Sequence, residues 1–455
     1  MANGDEDEKV NLEIISAESV KPASPTPRHL RTFNLSFIDQ AAFQVDIPQI
    51  LFFPNTDNVT LSDVIKLRSR LLKESLSKIL VHYYPLAGQI IDDFHIECND
   101  EGVYFVETRV DNTLDEFLSR VDDQKLRGII PIHPSTAKSS VENHITMVQV
   151  NIFNCGGIGL SVSSTHKFID GYSFFAFLTA WAAVAKGLVP IPPNFMASKI
   201  FPGVRSIEEL PNPSKSITNT LIPITKRFVF DSNALVSLQA QPIISGPTKH
   251  GPTRTEATTA LIWKAAAKAA SIIKPYSPET PHVLLMAVNL RKRATPPLPK
   301  ESIGNLFDSA TGICFPNSQP NLSSLMSEIR KSIAKINSDH IESLKVEKGR
   351  KMYIEKMKMK NDMASDTKKK NDSLLVTSVL RNGVYEIDFG WGKPIWYYLM
   401  TPSVPGIASL NDTIKGGGVE AVITLSSQEM EIFERDSEIM SYATLDPSPL
   451  QLVNN

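Results

Sequence analysis

Helical periodicity is clearest between Leu61 and Val81, where apolar residues recur at helical spacing directly after Thr60, a plausible N-terminal cap. Pro85 lacks a backbone amide donor, so we expect this helix to stop there. The run from Phe174 to Trp181 is apolar on every side, which predicts a buried helix. An alanine-rich helix is expected near residues 256–270.

Alternating apolar residues and β-branched residues predict strands in six further segments. The first two flank the turn-forming residues 99–102, so we expect them to form a hairpin. The next two are joined by a turn at Gly156 and Gly157. Both halves of the chain mix strands with helices, which indicates an α/β fold. The six segments are Phe94–Cys98, Val103–Val110, Thr146–Phe153, Ile158–Thr165, Arg227–Phe230 and Val283–Leu290.

The length of 455 residues exceeds what one compact core usually contains and predicts two domains. Residues 1–28 are polar and end in a proline-rich run, which indicates an N-terminal arm. A stretch rich in Pro, Ser and Asn begins at residue 190, and we place a crossover linker within it at 196–223. The predicted domains are therefore 29–195 and 224–455.

The formal net charge of -2 provides no field that would gather nucleic acid or a membrane surface, so small molecules are the expected partners. The acidic start lacks the basic region of targeting peptides, and no run approaches the ~20 apolar residues that span a bilayer. We therefore expect a cytoplasmic protein. The lysine-rich segment 345–370 is expected to be a solvated helix or mobile loop, with a docking surface as the alternative.

The string Ser164-Thr165-His166-Lys167-Phe168-Ile169-Asp170-Gly171 lies where a predicted strand gives way to a buried helix. Such junctions expose side chains to clefts while the flanking elements hold them rigid. An imidazole placed there can take a proton from a substrate hydroxyl and return it near neutral pH. Taken alone, one His four residues before one Asp is a weak indication, and a structural histidine is the commoner interpretation.

Other chemistries have less support in the residues. No His, Cys or carboxylate stands at the spacing that would complete a zinc site with His166. Ser163 and Ser164 lack the glycine-flanked elbow that exposes a nucleophilic serine. Three scattered cysteines, at positions 98, 155 and 314, do not form a disulfide framework; we expect reduced, mostly buried thiols, with Cys155 filling the core.

A second string, Asp388-Phe389-Gly390-Trp391-Gly392, occurs late in the chain. The motif HxxxDG followed by DFGWG is the signature of the plant BAHD acyltransferases, and the sequence resembles that family over nearly its whole length. Within the family it looks most similar to the branch of vinorine synthase, salutaridinol acetyltransferase and capsaicin synthase-like enzymes. Further landmarks, in the expected order, are Leu35–Gln40, Tyr84–Gly88, Cys98–Asp100, Asn289–Arg291, Gly304-Asn305 and Gly418–Ala421.

The resemblance implies two chloramphenicol-acetyltransferase-like domains with a solvent channel between them, in which acyl-CoA and an alcohol meet at His166. His166 would act as general base, and the acyl group would pass directly from CoA to a hydroxyl of a plant specialised metabolite such as an alkaloid or terpenoid. The co-substrate would be an acyl-CoA, with acetyl-CoA favoured. Neither a metal nor a prosthetic group is implied, and the enzyme would be a monomer.

Roles for the residues around His166 follow from the same resemblance. Asp170 either orients His166 or anchors its loop through a buried ion pair, and the resemblance favours the anchor, with Arg291 as partner. Gly171 would permit a tight helix entry that a Cβ would obstruct. A structural role on the CoA side, away from His166, is implied for the second motif through Asp388, Gly390, Trp391 and Gly392.

CoA contacts are predicted at the start of the alanine-rich helix, where Thr253 and Thr255 could donate to a phosphate. A capping box between Thr253 and Glu256 explains the same residues equally well.

Three alternatives to an O-acyltransferase stay open at this point. An amide-forming transferase could use the same base on an amine. A condensation domain has a related motif, but that motif has a second histidine where this chain has Thr165. A catalytically silent binding protein on the same scaffold is the third.

Overall fold

The computed structural model describes residues 10–43, 45–131, 144–211, 221–241, 250–273, 280–365 and 373–454. Residues 1–9 of the predicted arm, 212–220 of the predicted linker and 366–370 of the lysine-rich segment lie outside the described residues. The strands are β1 (Leu12–Val20), β2 (Thr32–Asn34), β3 (Asp46–Phe53), β4 (Gln89–Ile90), β5 (His95–Glu97), β6 (Val103–Val110), β7 (Thr146–Phe153), β8 (Ile158–Thr165), β9 (Pro223–Phe230), β10 (His282–Asn289), β11 (Phe307–Cys314), β12 (Ser373–Ser378), β13 (Trp396–Leu399), β14 (Ile407–Asp412), β15 (Val419–Ser426) and β16 (Thr444–Leu445).

These strands form three sheets, which together with the helices give the predicted α/β fold. A six-stranded sheet has the order β1-β6-β7-β8-β3-β13, a seven-stranded sheet has the order β11-β10-β12-β14-β15-β9-β16, and a small sheet has the order β2-β5-β4. The strands predicted around 146–153, 158–165, 227–230 and 283–290 are confirmed as β7, β8, β9 and β10. β7 and β8 pair antiparallel across the predicted glycine turn.

The helix predicted from Leu61 is confirmed, since α2, a π-helical turn over 64–68 and α3 follow one another as far as Leu80. Thr60 caps its start, because the Asp63 amide donates to the Thr60 hydroxyl at 3.2 Å. The buried helix is α6 and the alanine-rich helix is α9. The described helices do not include one that is both long and apolar enough to cross a membrane. The helices are α1 (Phe37–Ala41), α2 (Leu61–Asp63), α3 (Ser69–Leu80), α4 (Leu114–Ser119), α5 (Asp123–Arg127), α6 (Gly171–Ala185), α7 (Ala197–Ile200), α8 (Ser232–Gln239), α9 (Arg254–Ile273), α10 (Leu322–Ala334), α11 (Ser338–Leu344), α12 (Glu347–Ser365), α13 (Ser427–Phe433), α14 (Ser437–Met440) and α15 (Pro449–Asn454).

The hairpin predicted from Phe94–Cys98 and Val103–Val110 is wrong. β5 pairs with β2 and β4 in the small sheet, whereas β6 lies between β1 and β7 in the six-stranded sheet. The turn between them is tied to the arm instead: the Asp100 carboxylate accepts from the backbone and hydroxyl of Thr26 at 3.0 and 2.6 Å. The neighbouring arm strand β1 then takes the edge of β6, with Val20 opposite Val103.

Two large apolar cores lie against the two large sheets. One lies between the seven-stranded sheet and α9, α10 and α12, and it includes Trp263. The other lies between the six-stranded sheet and α3 and α6, and it includes Trp181. A third, smaller cluster joins Trp396 of β13 to Val422 of β15, so it connects the two sheets.

Strand β13 comes from the C-terminal part of the chain but pairs antiparallel with β3, with Trp396 opposite Phe52. Their rings stack at a centroid distance of 5.2 Å. A division of the chain at the proposed linker 196–223 therefore leaves one strand of the second part in the sheet of the first.

Residues 347–365 of the lysine-rich segment form helix α12, in agreement with the predicted solvated helix, but the helix also has apolar residues that are buried. Tyr353, Ile354 and Met357 enter the larger core at helical spacing, while Met352 and Met359 stay exposed. The prediction for Cys155 is wrong: its thiol is exposed, whereas Cys98 and Cys314 are buried. Cys155 lies in the turn between β7 and β8, where its sulfur accepts from the Leu114 amide at 3.3 Å.

Candidate active site

His166 is the first residue after β8, and its backbone amide donates to the Val45 carbonyl at 2.8 Å. β8 pairs with β7 on one side and β3 on the other, so the histidine begins from a rigid support. The side chain is half-buried, and its ring lies 5.6 Å from the ring of Phe307 at the start of β11. The histidine thus lies where the two large sheets approach each other.

Asn305 determines which ring nitrogen of His166 carries the proton. Its side-chain amide group donates to the His166 carbonyl at 2.8 Å, which directs its oxygen toward His166 Nδ1 at 3.2 Å. An amide oxygen only accepts, so Nδ1 must donate and the lone pair of the neutral ring is on Nε2. This is the tautomer that a general base requires. The sequence marked Asn305 only as a family landmark, because a contact across 139 residues leaves no local pattern.

The predicted contact between Asp170 and Arg291 is present. The guanidinium donates to both carboxylate oxygens, at 2.8 and 3.1 Å, and both side chains are buried. Asp170 also caps α6 by accepting from the Ser173 amide at 2.8 Å, and it accepts from the Leu306 amide at 3.1 Å. Burial alone would raise the pKa of Asp170, but Arg291 and these amides outweigh it and hold the pKa below its usual value.

The same guanidinium ties down the loop that carries Asn305. Arg291 is 2% exposed and donates to the Ser302 carbonyl at 2.9 and 3.1 Å and to the Gly304 carbonyl at 3.2 Å. It also donates to the Ser173 hydroxyl at 2.9 Å, which returns to Gly304 by donating to its carbonyl at 3.0 Å. The described contacts of Asp170 and Arg291 therefore anchor backbone on both sides of the site, and none reaches the His166 ring.

The turn at residues 388–392 is organised by one carboxylate. Asp388 accepts from the Gly390 and Gly392 amides at 2.8 and 3.0 Å, and these glycines have φ of 111° and 113°. Such angles are strained for any residue with a Cβ. Burial would raise the pKa of Asp388, but the two amides and Lys186 hold it below its usual value.

This turn packs on the far end of α6. The Phe389 ring lies 5.0 Å from the Trp181 ring and 5.6 Å from that of Trp391, and Asp388 pairs with Lys186 at 3.5 Å. Asp170 caps the other end of the same helix, and an α-helix rises about 24 Å between residues 170 and 186. The motif thus packs against the helix that starts beside the histidine, at the opposite end of that helix, and its two aromatic rings also pack against Phe53 of β3.

The remaining predicted site residues are at helix starts. Gly171 has no positive φ, and a Cβ there would lie 3.2 Å from a Val379 methyl, so the predicted obstruction reduces to one side-chain contact. The capping box at α9 is present: Glu256 accepts from the Thr253 amide at 2.8 Å and donates its own amide to the Thr253 hydroxyl at 3.1 Å. Thr253 is exposed and Thr255 is half-buried.

Among the described residues, no group of three or more His, Cys, Asp or Glu side chains is arranged to hold a metal ion.

Known proteins resemble the chain over nearly its full length. The model of the Transferase family matches residues 10–440, which include both motifs. Limonoid 7-O-acetyltransferase of Citrus sinensis is 34% identical over 468 residues, covering 96% of this chain and 99% of that enzyme. The 17,18-epoxy-17-hydroxycur-19-ene N-malonyltransferase of Strychnos nux-vomica is 33% identical over 440 residues, covering 95% and 91%. The crystal structure of vinorine synthase, an enzyme of Rauvolfia serpentina, matches with a TM-score of 0.80 and 32% identity, covering 95% of this chain and 98% of that one.

Replacing Asp170 or Arg291 with alanine is expected to lower the free energy of unfolding by about 3–5 kcal/mol, because each change leaves the other charge buried and unpaired. Turnover should fall as well, since the loop carrying Asn305 loses its anchor. Urea unfolding of both single variants and of the double variant measures this. The double variant should lose much less than the sum of the singles; additive losses would show that the two charges do not stabilise each other.

Gly390→Ala is expected to destabilise the protein by about 1–3 kcal/mol, because alanine must adopt a φ that only glycine accepts readily. Gly171→Ala is the matched control, since the glycine there has an ordinary φ and begins the helix on which the turn packs. Thermal unfolding of the two variants should separate them clearly. Equal losses would refute the argument from backbone strain.

Proposed function

The chain belongs to the Transferase family, the plant acyl-CoA-dependent BAHD acyltransferases, and on that premise we propose that it transfers an acetyl group from acetyl-CoA to a hydroxyl of a terpenoid or alkaloid. The O-acetyltransferase names of relatives such as the Citrus sinensis enzyme support this acceptor and donor class. The observation that carries the proposal is the hydrogen bond between His166 Nδ1 and Asn305, which leaves Nε2 as the proton acceptor.

His166 acts as the general base in the proposed reaction. Nε2 takes the proton of the acceptor hydroxyl while the hydroxyl oxygen forms a bond to the thioester carbonyl carbon. The tetrahedral intermediate then collapses, the carbon–sulfur bond breaks, and the sulfur leaves as the CoA thiol with the proton from Nε2. The thioester is already activated, so this chemistry needs no acyl-enzyme.

The surroundings of His166 support direct transfer. The Ser164 hydroxyl is hydrogen-bonded to the Thr146 hydroxyl at 3.0 Å, in the buried face of the sheet. Cys155 precedes β8 whereas His166 follows it, and a strand of this length spans roughly 25 Å. Neither side chain is placed as a nucleophile beside the base.

We further propose that CoA binds at Thr253 and Thr255 and that the enzyme is a single chain. We also propose that this chain is divided into two domains with a channel between them. The exposed Thr253 hydroxyl at the start of α9 is available to a phosphate in addition to its capping role.

Transfer to nitrogen is the second candidate. The Strychnos nux-vomica relative is named an N-malonyltransferase and is as similar to this chain as several O-acetyltransferases are. A neutral imidazole can also take a proton from an attacking amine. Release of CoA from acetyl-CoA and malonyl-CoA with panels of alcohols and amines distinguishes the two candidates.

His166→Ala is expected to abolish transfer while leaving the fold and CoA binding nearly unchanged, because the base acts in the transition state. Loss of roughly 10²- to 10⁴-fold in kcat is the size typical of one general base. CoA release measures turnover, and titration with CoA measures binding. Turnover equal to that of the wild type would remove His166 from the mechanism.

Initial-rate kinetics should show a ternary complex. Double-reciprocal plots at several fixed acceptor concentrations are expected to intersect, and no acyl label should stay on the protein when acceptor is absent. The value of kcat/KM should rise with pH over the acidic range, because His166 must be neutral to take the proton. Parallel lines, or a labelled peptide containing Cys155 or Ser164, would overturn direct transfer.

A further inference from the structure

A buried carboxylate, that of Asp39, is hydrogen-bonded to Asn305, the residue that contacts the His166 ring. Asp39, in the short helix α1, is 1% exposed and accepts from the Ser36 amide at 3.0 Å and the Ser36 hydroxyl at 2.6 Å. The other oxygen of the Asp39 carboxylate accepts from the backbone amide of Asn305 at 2.7 Å. Among the described residues, no Lys, Arg or His side chain forms an ion pair with Asp39.

An unpaired buried carboxylate is costly, and proteins usually pair or replace it. Burial raises the pKa of Asp39 to about 6, against the opposing hydrogen bonds from Ser36 and Asn305. Capping a helix of five residues does not require burial of a charge, because caps work at exposed positions too. Thr113 and Glu116 form such an exposed capping box at α4.

The contacts of Asn305 suggest what the charge does. The Asn305 backbone amide donates to Asp39, while its side-chain oxygen accepts from His166 Nδ1. We propose that Asp39 is a positioning residue of the reaction, which holds Asn305 against His166 and stabilises the protonated His166 through this bridge. The inference rests on the proposed role of His166 as the base.

The electrostatic part follows from the proton transfer. When Nε2 takes the substrate proton, the ring becomes a cation whose Nδ1–H points at an Asn305 oxygen. The negative charge that Asp39 carries when it is ionised, on the other side of Asn305, favours that cation without reorganisation during the reaction.

Other charged and titratable groups lie around Asp39, and a substitution of Asp39 alone leaves them unchanged. From α12 the buried Tyr353 faces it; burial first, then Asp308 and Asp39, raise the pKa of that tyrosine. From the loop after β8, Lys167 donates to the Gln40 carbonyl at 2.8 Å and pairs with Asp93 at 2.9 Å. The Asp170–Arg291 pair lies beyond Leu306.

The chain contains a matched control. Ser426 and Glu429 form the same buried capping box at α13, with the Ser426 amide at 3.1 Å and its hydroxyl at 2.6 Å from the carboxylate. Glu429 is 4% exposed. Its helix follows β15, which lies four strands from β11 in the sheet order, about 19 Å away at the usual strand spacing. A capping role alone would make Asp39 and Glu429 equivalent.

The test compares Asp39→Asn with Glu429→Gln in the full chain, by thermal unfolding, kcat, KM and the pH dependence of kcat/KM. Asp39→Asn is expected to lower kcat about 10- to 100-fold, the rate equivalent of one charge-assisted hydrogen bond, with little change in KM for acetyl-CoA. The acidic limb of kcat/KM should move to lower pH, because the protonated His166 loses a stabilising anion. Glu429→Gln should lower thermal stability but leave kcat and the limb in place. Equal kinetics of the two variants would overturn the inference.

Asn305→Ala provides a second route if Asp39→Asn does not fold, because it cuts the bridge but keeps the backbone donor to Asp39. Its acidic limb should shift in the same direction, and an unmoved limb would overturn the inference. Where both variants fold, Asp39→Asn should have little further effect on kcat in the Asn305→Ala background. His166→Ala separates the two claims. Turnover equal to that of the wild type refutes the proposed function, whereas the expected large loss, with Asp39→Asn behaving like Glu429→Gln, refutes this inference alone.

Discussion

The buried ion pair between Asp170 and Arg291 is the constraint on which the rest of the site depends. Two charges buried away from water are tolerated only when they are paired. Here the Asp170 carboxylate comes from the start of α6 and the Arg291 guanidinium from the residues after β10. The same guanidinium holds the carbonyls of Ser302 and Gly304, so the loop that carries Asn305 cannot move independently of α6. The position and tautomer of His166 are consequences of that loop. The aspartate of the first motif is thus linked to His166 through packing and hydrogen bonds rather than by a direct contact with its ring.

Helix α6 explains why two distant motifs serve one site. The first motif ends in the cap of the helix, and the second, through Phe389 and Asp388, packs against Trp181 and Lys186 at its other end. A helix buried almost all round can be held in place only by its neighbours and its two ends. The DFGWG turn is thus connected to the histidine only through this helix and its neighbours, and its two glycines adopt the positive φ that the turn requires.

Much of the fold could be predicted because periodicity is local: α6, α9, β7 and β8 all follow from spacing within a few residues. Their partners could not be predicted in this way. The predicted hairpin failed because Asp100 bonds Thr26 of the arm, and β13 joins the sheet of the first part through Phe52. His166 could be singled out because it stands at a strand-to-helix junction within a known motif. Asn305 and Asp39 were marked only as parts of family landmarks, and their contacts could not be predicted, since contacts between residues so distant in the chain leave no trace in local sequence.

The central claim is that neutral His166 carries its proton on Nδ1 and keeps the Nε2 lone pair for the substrate. Nitrogen-15 NMR of the histidine-labelled protein tests this directly, with the His166 signals among those of nine histidines identified by their loss in His166→Gln. At a pH high enough for the ring to be neutral, the account predicts a protonated Nδ1 and an unprotonated Nε2. A proton on Nε2 would contradict it, because the nitrogen left free would then be the one facing Asn305.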